Sequence, residues 1–155
     1  MSVTDAEPIV EPVGEPLAPP AGPTAAVLEP GDLVSSWRIA VVATWALVVF
    51  AYSAVWKTSV ELGIGTWWLG ARSDPQPVVV RLIPFAVGIG FGMVSSLRLK
   101  RLPQITVLGA FVLALIALPD YSRSVGLANL EMVIAAAVLL VGLGSFTGVV
   151  KTADR

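Results

Sequence analysis

The chain has 155 residues, 55% of them hydrophobic and 14% charged, with a formal net charge of −1 and a mean hydropathy of +0.81. Soluble domains carry roughly 25% charged residues, and a chain this short cannot hide apolar runs of the length seen here in a water-soluble core. With no cysteine and no histidine, disulfides, thiolate metal sites, histidine-ligated haem and cysteine or histidine catalysis are excluded for the chain, and the small charge gives no steering towards nucleic acid.

Residues 1–35 are rich in Pro, Glu and Ala, and six of the eleven acids (Asp5, Glu7, Glu11, Glu15, Glu29 and Asp32) precede Trp37. Apolar residues there never form a run long enough to bury, so the segment is predicted to be a disordered, partly polyproline-II tail. It serves either as a solvated spacer or as a docking tail whose Glu-Pro repeats a partner recognises. Neither Lys nor Arg occurs in the first 36 residues, which argues against a cleaved secretory signal.

The remainder, residues 36–151, is predicted to be a transmembrane domain. Span one covers 37–56, with no charge from Ile39 to Val55 and with Trp37–Arg38 and Trp56–Lys57 as interfacial ends. Its twenty residues give about 30 Å of helix, the thickness of a bilayer core. A loop follows over 57–76, carrying Trp67 and Trp68; their indoles are expected at headgroup depth, like Trp37 and Trp56. An aromatic pair gripping a ligand is the alternative. Span two covers 77–97, and Pro84 removes the bond to the Val80 carbonyl, predicting a kink. Span three covers 102–118, opened by Pro103 and closed by Pro119-Asp120. Its seventeen residues sit at the lower limit for crossing, so a re-entrant segment stays open. Span four covers 131–150.

Sidedness follows the basic residues. Placing Arg98, Lys100 and Arg101 in the cytoplasm puts both termini inside with Arg38, Lys151 and Arg155, and leaves Lys57, Arg72, Arg81 and Arg123 outside. No repeat relates the two halves, so no transporter-type inverted repeat is predicted.

Gly88 and Gly92 in span two, and Gly144 and Gly148 in span four, each form Gly-x-x-x-Gly, where another helix backbone can approach closely. The approaching helix belongs either to this chain or to a partner. Arg81 is the one charge inside a predicted hydrocarbon span. With Glu131, and with Asp120 just beyond span three, it is expected to form an ion pair or small network at the outer surface; snorkelling of both side chains is the alternative. Thr44, Ser95, Ser96 and Thr147 are the remaining polar groups in or near the spans, and each can bond to its own helix backbone. No serine has a visible base, no carboxylate pair shares a helix face and no metal-ligand set is present, so no enzyme and no cofactor is predicted.

The segment Gly65-Thr-Trp-Trp-Leu-Gly-Ala-Arg-Ser-Asp-Pro-Gln-Pro77, followed by Arg81-Leu-Ile-Pro-Phe85, resembles small uncharacterised four-span membrane proteins of actinobacteria. The resemblance covers the spans and omits the tail. It implies a bacterial inner-membrane protein and brings no activity with it. The expectation is an all-α four-helix transmembrane bundle acting as a non-enzymatic accessory or scaffold subunit, its glycine faces and tail holding a membrane-protein partner in the lipid bilayer. The alternative is a small transporter or channel subunit that works as a homo-oligomer.

Overall fold

The computed structural model describes residues 31–150. Most of the predicted tail, together with Lys151 and Arg155 at the other terminus, lies outside the described residues. The end of that tail is structured: Leu33 pairs with Val149 in an antiparallel bridge. Gly31 and Val34 donate to the carbonyls of Val150 and Gly148, and Val150 returns a bond to Asp32. Gly31 also lies against Lys100, so both ends of the described chain and the basic link after span two share one end of the molecule.

Helix α1 runs Ser35–Leu62. It continues six residues past the predicted end of span one because nothing in 57–62 breaks a helix. It stops at Gly63, whose left-handed φ of 68° lets its N–H return to the Ser59 carbonyl. A hairpin of β1 (Gly70–Ala71) and β2 (Asp74–Pro75) follows. Span two is two helices, α2 (Val78–Arg81) and α3 (Ile83–Ser96). The break falls at Leu82, because Pro84 has no N–H to offer Val80 and its ring crowds that carbonyl. Helix α4 (Leu102–Ala117) passes into a 3₁₀ turn, Leu118–Ser122, and α5 (Val125–Ser145) into another, Phe146–Gly148.

The helices form a ring in which α1 packs on α3 and α5, and α4 on α3 and α5. The inward residues of α1 are Val41, Trp45, Val48, Tyr52, Val55 and Ser59, alternating four and three apart. That 3.5-residue seam is the signature of left-handed helix packing. The outward face is equally apolar: Ile39, Leu47 and Phe50 on α1, Ile89 and Met93 on α3, Leu108, Phe111 and Leu115 on α4, and Val133 and Leu140 on α5 are all exposed. Helices apolar all round need an apolar solvent. By length and composition three segments can cross a membrane, Ser35–Leu62, Leu102–Ser122 and Val125–Gly148, and Ile83–Ser96 is a shorter apolar helix. The architecture is that of a multi-pass membrane protein.

Candidate functional site

The end of the bundle opposite the termini is closed by the loop between α1 and α2. After Gly63 the chain turns back, with the Ile64 N–H on the Ser59 carbonyl and the Ser59 hydroxyl on the Ile64 carbonyl. Thr66, fully buried, caps the next turn: its hydroxyl accepts from the Leu69 N–H at 3.2 Å and its carbonyl from the Gly70 N–H at 2.8 Å. Gly70 holds a φ of 78°, and a Cβ there would lie 2.6 Å from the Asp74 carbonyl oxygen, so the hairpin requires glycine. The Gln76 N–H closes back on Leu69, and Arg81 Nε donates to the Gln76 carbonyl at 2.6 Å.

This geometry drives Trp67 and Trp68 into the bundle. Trp68 is 0% exposed. Its ring sits edge-on to Tyr52, Trp56 and Phe85 at centroid distances of 6.0, 6.1 and 6.2 Å, the preferred geometry for aromatic quadrupoles. Its Nε1–H donates to Glu131 Oε1 at 2.9 Å. Trp67 makes two bonds to the end of α4: its backbone N–H reaches Asp120 Oδ1 at 2.6 Å, and its indole N–H reaches the Ile116 carbonyl at 2.7 Å. That carbonyl lies in the last turn of α4.

Asp120 and Glu131 are both 0% exposed, and their carboxyl groups lie within hydrogen-bond reach of each other. Each has one oxygen satisfied by a tryptophan N–H. The other oxygens, Asp120 Oδ2 and Glu131 Oε2, find no donor, and the buried Tyr52 hydroxyl beside them finds no partner either. Tyr52 is close enough to interact electrostatically with both acids, and Arg123 attracts Asp120 from the turn before α5. Asp120 is fixed by the 3₁₀ turn, and its carbonyl accepts from the N–H groups of Arg123 and Ser124. Ser124 is the N-cap of α5. Glu131 therefore lies well inside that helix, not at its start.

Several predicted residues land elsewhere than expected. Arg81 and Glu131 do not pair: Arg81 bonds to Gln76 and Glu131 to Trp68. A backbone carbonyl five residues away is the nearer partner for a guanidinium at the end of the short α2. Trp68, expected at headgroup depth, is enclosed by protein, because Glu131 gives its N–H an acceptor inside the bundle. Trp56 and Trp67 are half-buried against the core, as is Trp37. The carboxylate pair that no single helix face displayed is assembled from two elements, the 3₁₀ turn and α5.

The glycine motifs are filled from within the chain. A Cβ on Gly88 would meet Val49 Cγ2 at 2.9 Å, and one on Gly92 would meet Trp45 Cβ at 3.4 Å. A Cβ on Gly144 or Gly148 would meet the Trp37 indole at 3.0 or 2.1 Å. All four therefore seat side chains of α1. Thr44, Ser96 and Thr147 bond to carbonyls three or four residues back in their own helices. Ser95 is buried with a hydroxyl that has no partner.

Tyr52 and Thr66 were not singled out from sequence as site residues, and Asp120 was read only as a surface neighbour of Arg81 and Glu131, not as a buried partner of Glu131. The available signal was compositional: two adjacent indoles need N–H acceptors when buried, and this apolar stretch of chain offers two acids beside spans three and four. No known protein family matches the chain, and neither the curated proteins nor the solved structures contain one similar to it.

Proposed function

We propose that the chain is a four-span component of a bacterial inner membrane, both termini cytoplasmic, acting as a non-enzymatic accessory or scaffold subunit that presents its outer loop to a membrane-protein partner. One observation carries this reading: the 63–77 loop is pinned to the bundle by two buried carboxyl groups through Trp67 and Trp68. Hydrogen bonds contribute about 0.5–1.5 kcal/mol each, and about 1.5–3 kcal/mol where the acceptor is charged, more than a passive connector needs. A loop held this firmly works through its shape. The hairpin tip at Ala71, Arg72, Ser73 and Asp74 is exposed, and it is the part a partner would meet. The glycine faces, occupied by α1, take no part in that contact.

The four-span arrangement draws support from both described ends lying beside Lys100, which an even number of crossings requires. Since the chain has no cysteine, single cysteines at Ser73 and Leu99 test it. An impermeant thiol reagent on intact cells should label Ser73→Cys and spare Leu99→Cys. For the function, affinity purification from native membrane should recover one defined protein in fixed ratio with the wild type, and lose it when Arg72 and Asp74 are exchanged in charge. A symmetric homo-oligomer with no other protein would favour the second reading, a small transporter or channel subunit. Acids at membrane depth, here Asp120 and Glu131, are the observation on its side.

A further inference from the structure

We propose that Asp120 and Glu131 form a proton-binding site, in which one proton is shared between Asp120 Oδ2 and Glu131 Oε2 and holds the 63–77 loop closed over the bundle. This goes beyond the role proposed above and does not depend on what the loop meets.

Three buried oxygens at this place lack a partner: Asp120 Oδ2, Glu131 Oε2 and the Tyr52 hydroxyl. Buried polar atoms are almost always satisfied, and an exception calls for an explanation. Two fully ionised carboxylates in hydrogen-bond reach cannot satisfy each other, since neither has a hydrogen to give, and two adjacent buried like charges repel strongly. A single proton removes both problems. One carboxyl becomes a donor, the other remains an acceptor, and the pair carries one negative charge. The Tyr52 phenol can then donate to that charge. Arg123 attracts Asp120, which makes that end of the pair the one where charge gathers.

The charged and titratable groups facing the pair are Tyr52 from α1 and Arg123 from the turn before α5. The loop and α3 contribute Trp67, Trp68 and Phe85, which do not titrate in this range. When pH rises, the shared proton passes to a base in solution and two anions remain. The loop that covers them, tied to the same carboxyl groups, is the element that can lift to admit water. Proton occupancy and loop closure are thereby linked.

The test uses the full chain in lipid nanodiscs. Leu69 is 7% exposed and Ser73 is exposed, so the labelling rate of Leu69→Cys relative to Ser73→Cys reports loop opening, and the same ratio in the Glu131→Gln background corrects for the different titration of a buried thiol. The ratio should climb at least tenfold from neutral to alkaline pH. In Glu131→Gln, whose amide donates to Asp120 permanently and still accepts from Trp68, the ratio should stay low and flat. Infrared spectra of the unmodified chain, which need no variant to fold, should show a protonated carboxylic acid carbonyl band at neutral pH that fades over the same interval. A flat ratio in the unmodified background, a Glu131→Gln variant that opens like its parent, or the absence of the acid band at neutral pH would each overturn the proposal. So would a ratio that follows sodium concentration at fixed pH, which would make the ligand a metal cation.

Discussion

Replacing Trp68 with Phe removes one hydrogen-bond donor and one fused ring, and the structure sets the size of both effects. Glu131 Oε1 loses the 2.9 Å bond from Nε1 inside a site with no exposure, which costs about 1–3 kcal/mol for a stranded buried acceptor. The missing ring vacates roughly 40 Å³ between Tyr52, Trp56 and Phe85, and at about 24 cal/mol per Å³ this adds about 1 kcal/mol. Trp68→Phe should therefore lower stability by about 2–4 kcal/mol. Trp67→Phe deletes a bond to a carbonyl in a half-buried position, keeps the backbone bond to Asp120, and should cost about 0.5–1.5 kcal/mol. The assay is unfolding by a denaturing detergent titrated into mild micelles, followed by helical circular dichroism. Glu131→Leu completes a cycle: the double variant removes donor and acceptor together, so it should be more stable than the sum of the single losses by about 0.5–3 kcal/mol. The loss of Asp120's neighbour is common to the Leu single and double variants and cancels. Additive losses, or a Trp68→Phe cost no greater than that of Trp67→Phe, would refute the assignment of the loop anchor to Trp68 and Glu131.

Two further outcomes follow from the packing. Gly109→Ala places a Cβ 2.5 Å from Trp45 Cη2, and Trp45 is stacked on Phe91 at 4.9 Å and cannot retreat; the same unfolding assay should show a loss of about 1–3 kcal/mol. Gly90→Ala, whose Cβ meets nothing within 4 Å, should be neutral or stabilising by up to about 1 kcal/mol. Exchanging Arg81 and Glu131 should fail to restore the stability lost by either reversal alone, because the two do not pair; rescue by the swap would restore the ion pair read from sequence.

What the sequence made legible is whatever depends on local pattern: the apolar runs and the helix break near Pro84; Gly88, Gly92, Gly144 and Gly148 do mark packing contacts, but side chains of α1 fill them where a helix backbone was expected. Span four shows the limit. A window that treats charge as a boundary starts the helix at Glu131, whereas α5 begins at Val125 behind the Ser124 cap. Glu131 is tolerated in the interior because an indole 63 residues earlier supplies its donor, and no periodicity carries that information. The same holds for Trp67 and Trp68. A tryptophan near a span end suits the interface or the core, and the choice rests on whether a distant acceptor is present. The ends of α1 were misplaced for a simpler reason, since apolar character stops near Trp56 while helical continuity lasts until a residue breaks it.

The position of the acid pair follows from unequal helix lengths. Helix α1 has 28 residues and α4 has 16, which at 1.5 Å per residue gives about 42 Å and about 24 Å. Both start at the termini end; the 3₁₀ turn Leu118–Ser122 lengthens α4 by about 10 Å, so α1 outruns it by about one and a half turns at the other, leaving a step in the bundle wall. An open step there would expose the last carbonyls of α4 and the side of Tyr52 at a depth where unpaired polar groups are costly. The loop fills it: Trp67 takes the Ile116 carbonyl, and Trp68 fills the space among Tyr52, Trp56 and Phe85. Each indole brings an N–H into an apolar place, and each N–H demands an acceptor. The Ile116 carbonyl serves one, while Glu131 serves the other and Asp120 takes the backbone N–H left between them. The carboxyl groups are thus drawn together by the donors of a single dipeptide, and their proximity is what calls for a proton.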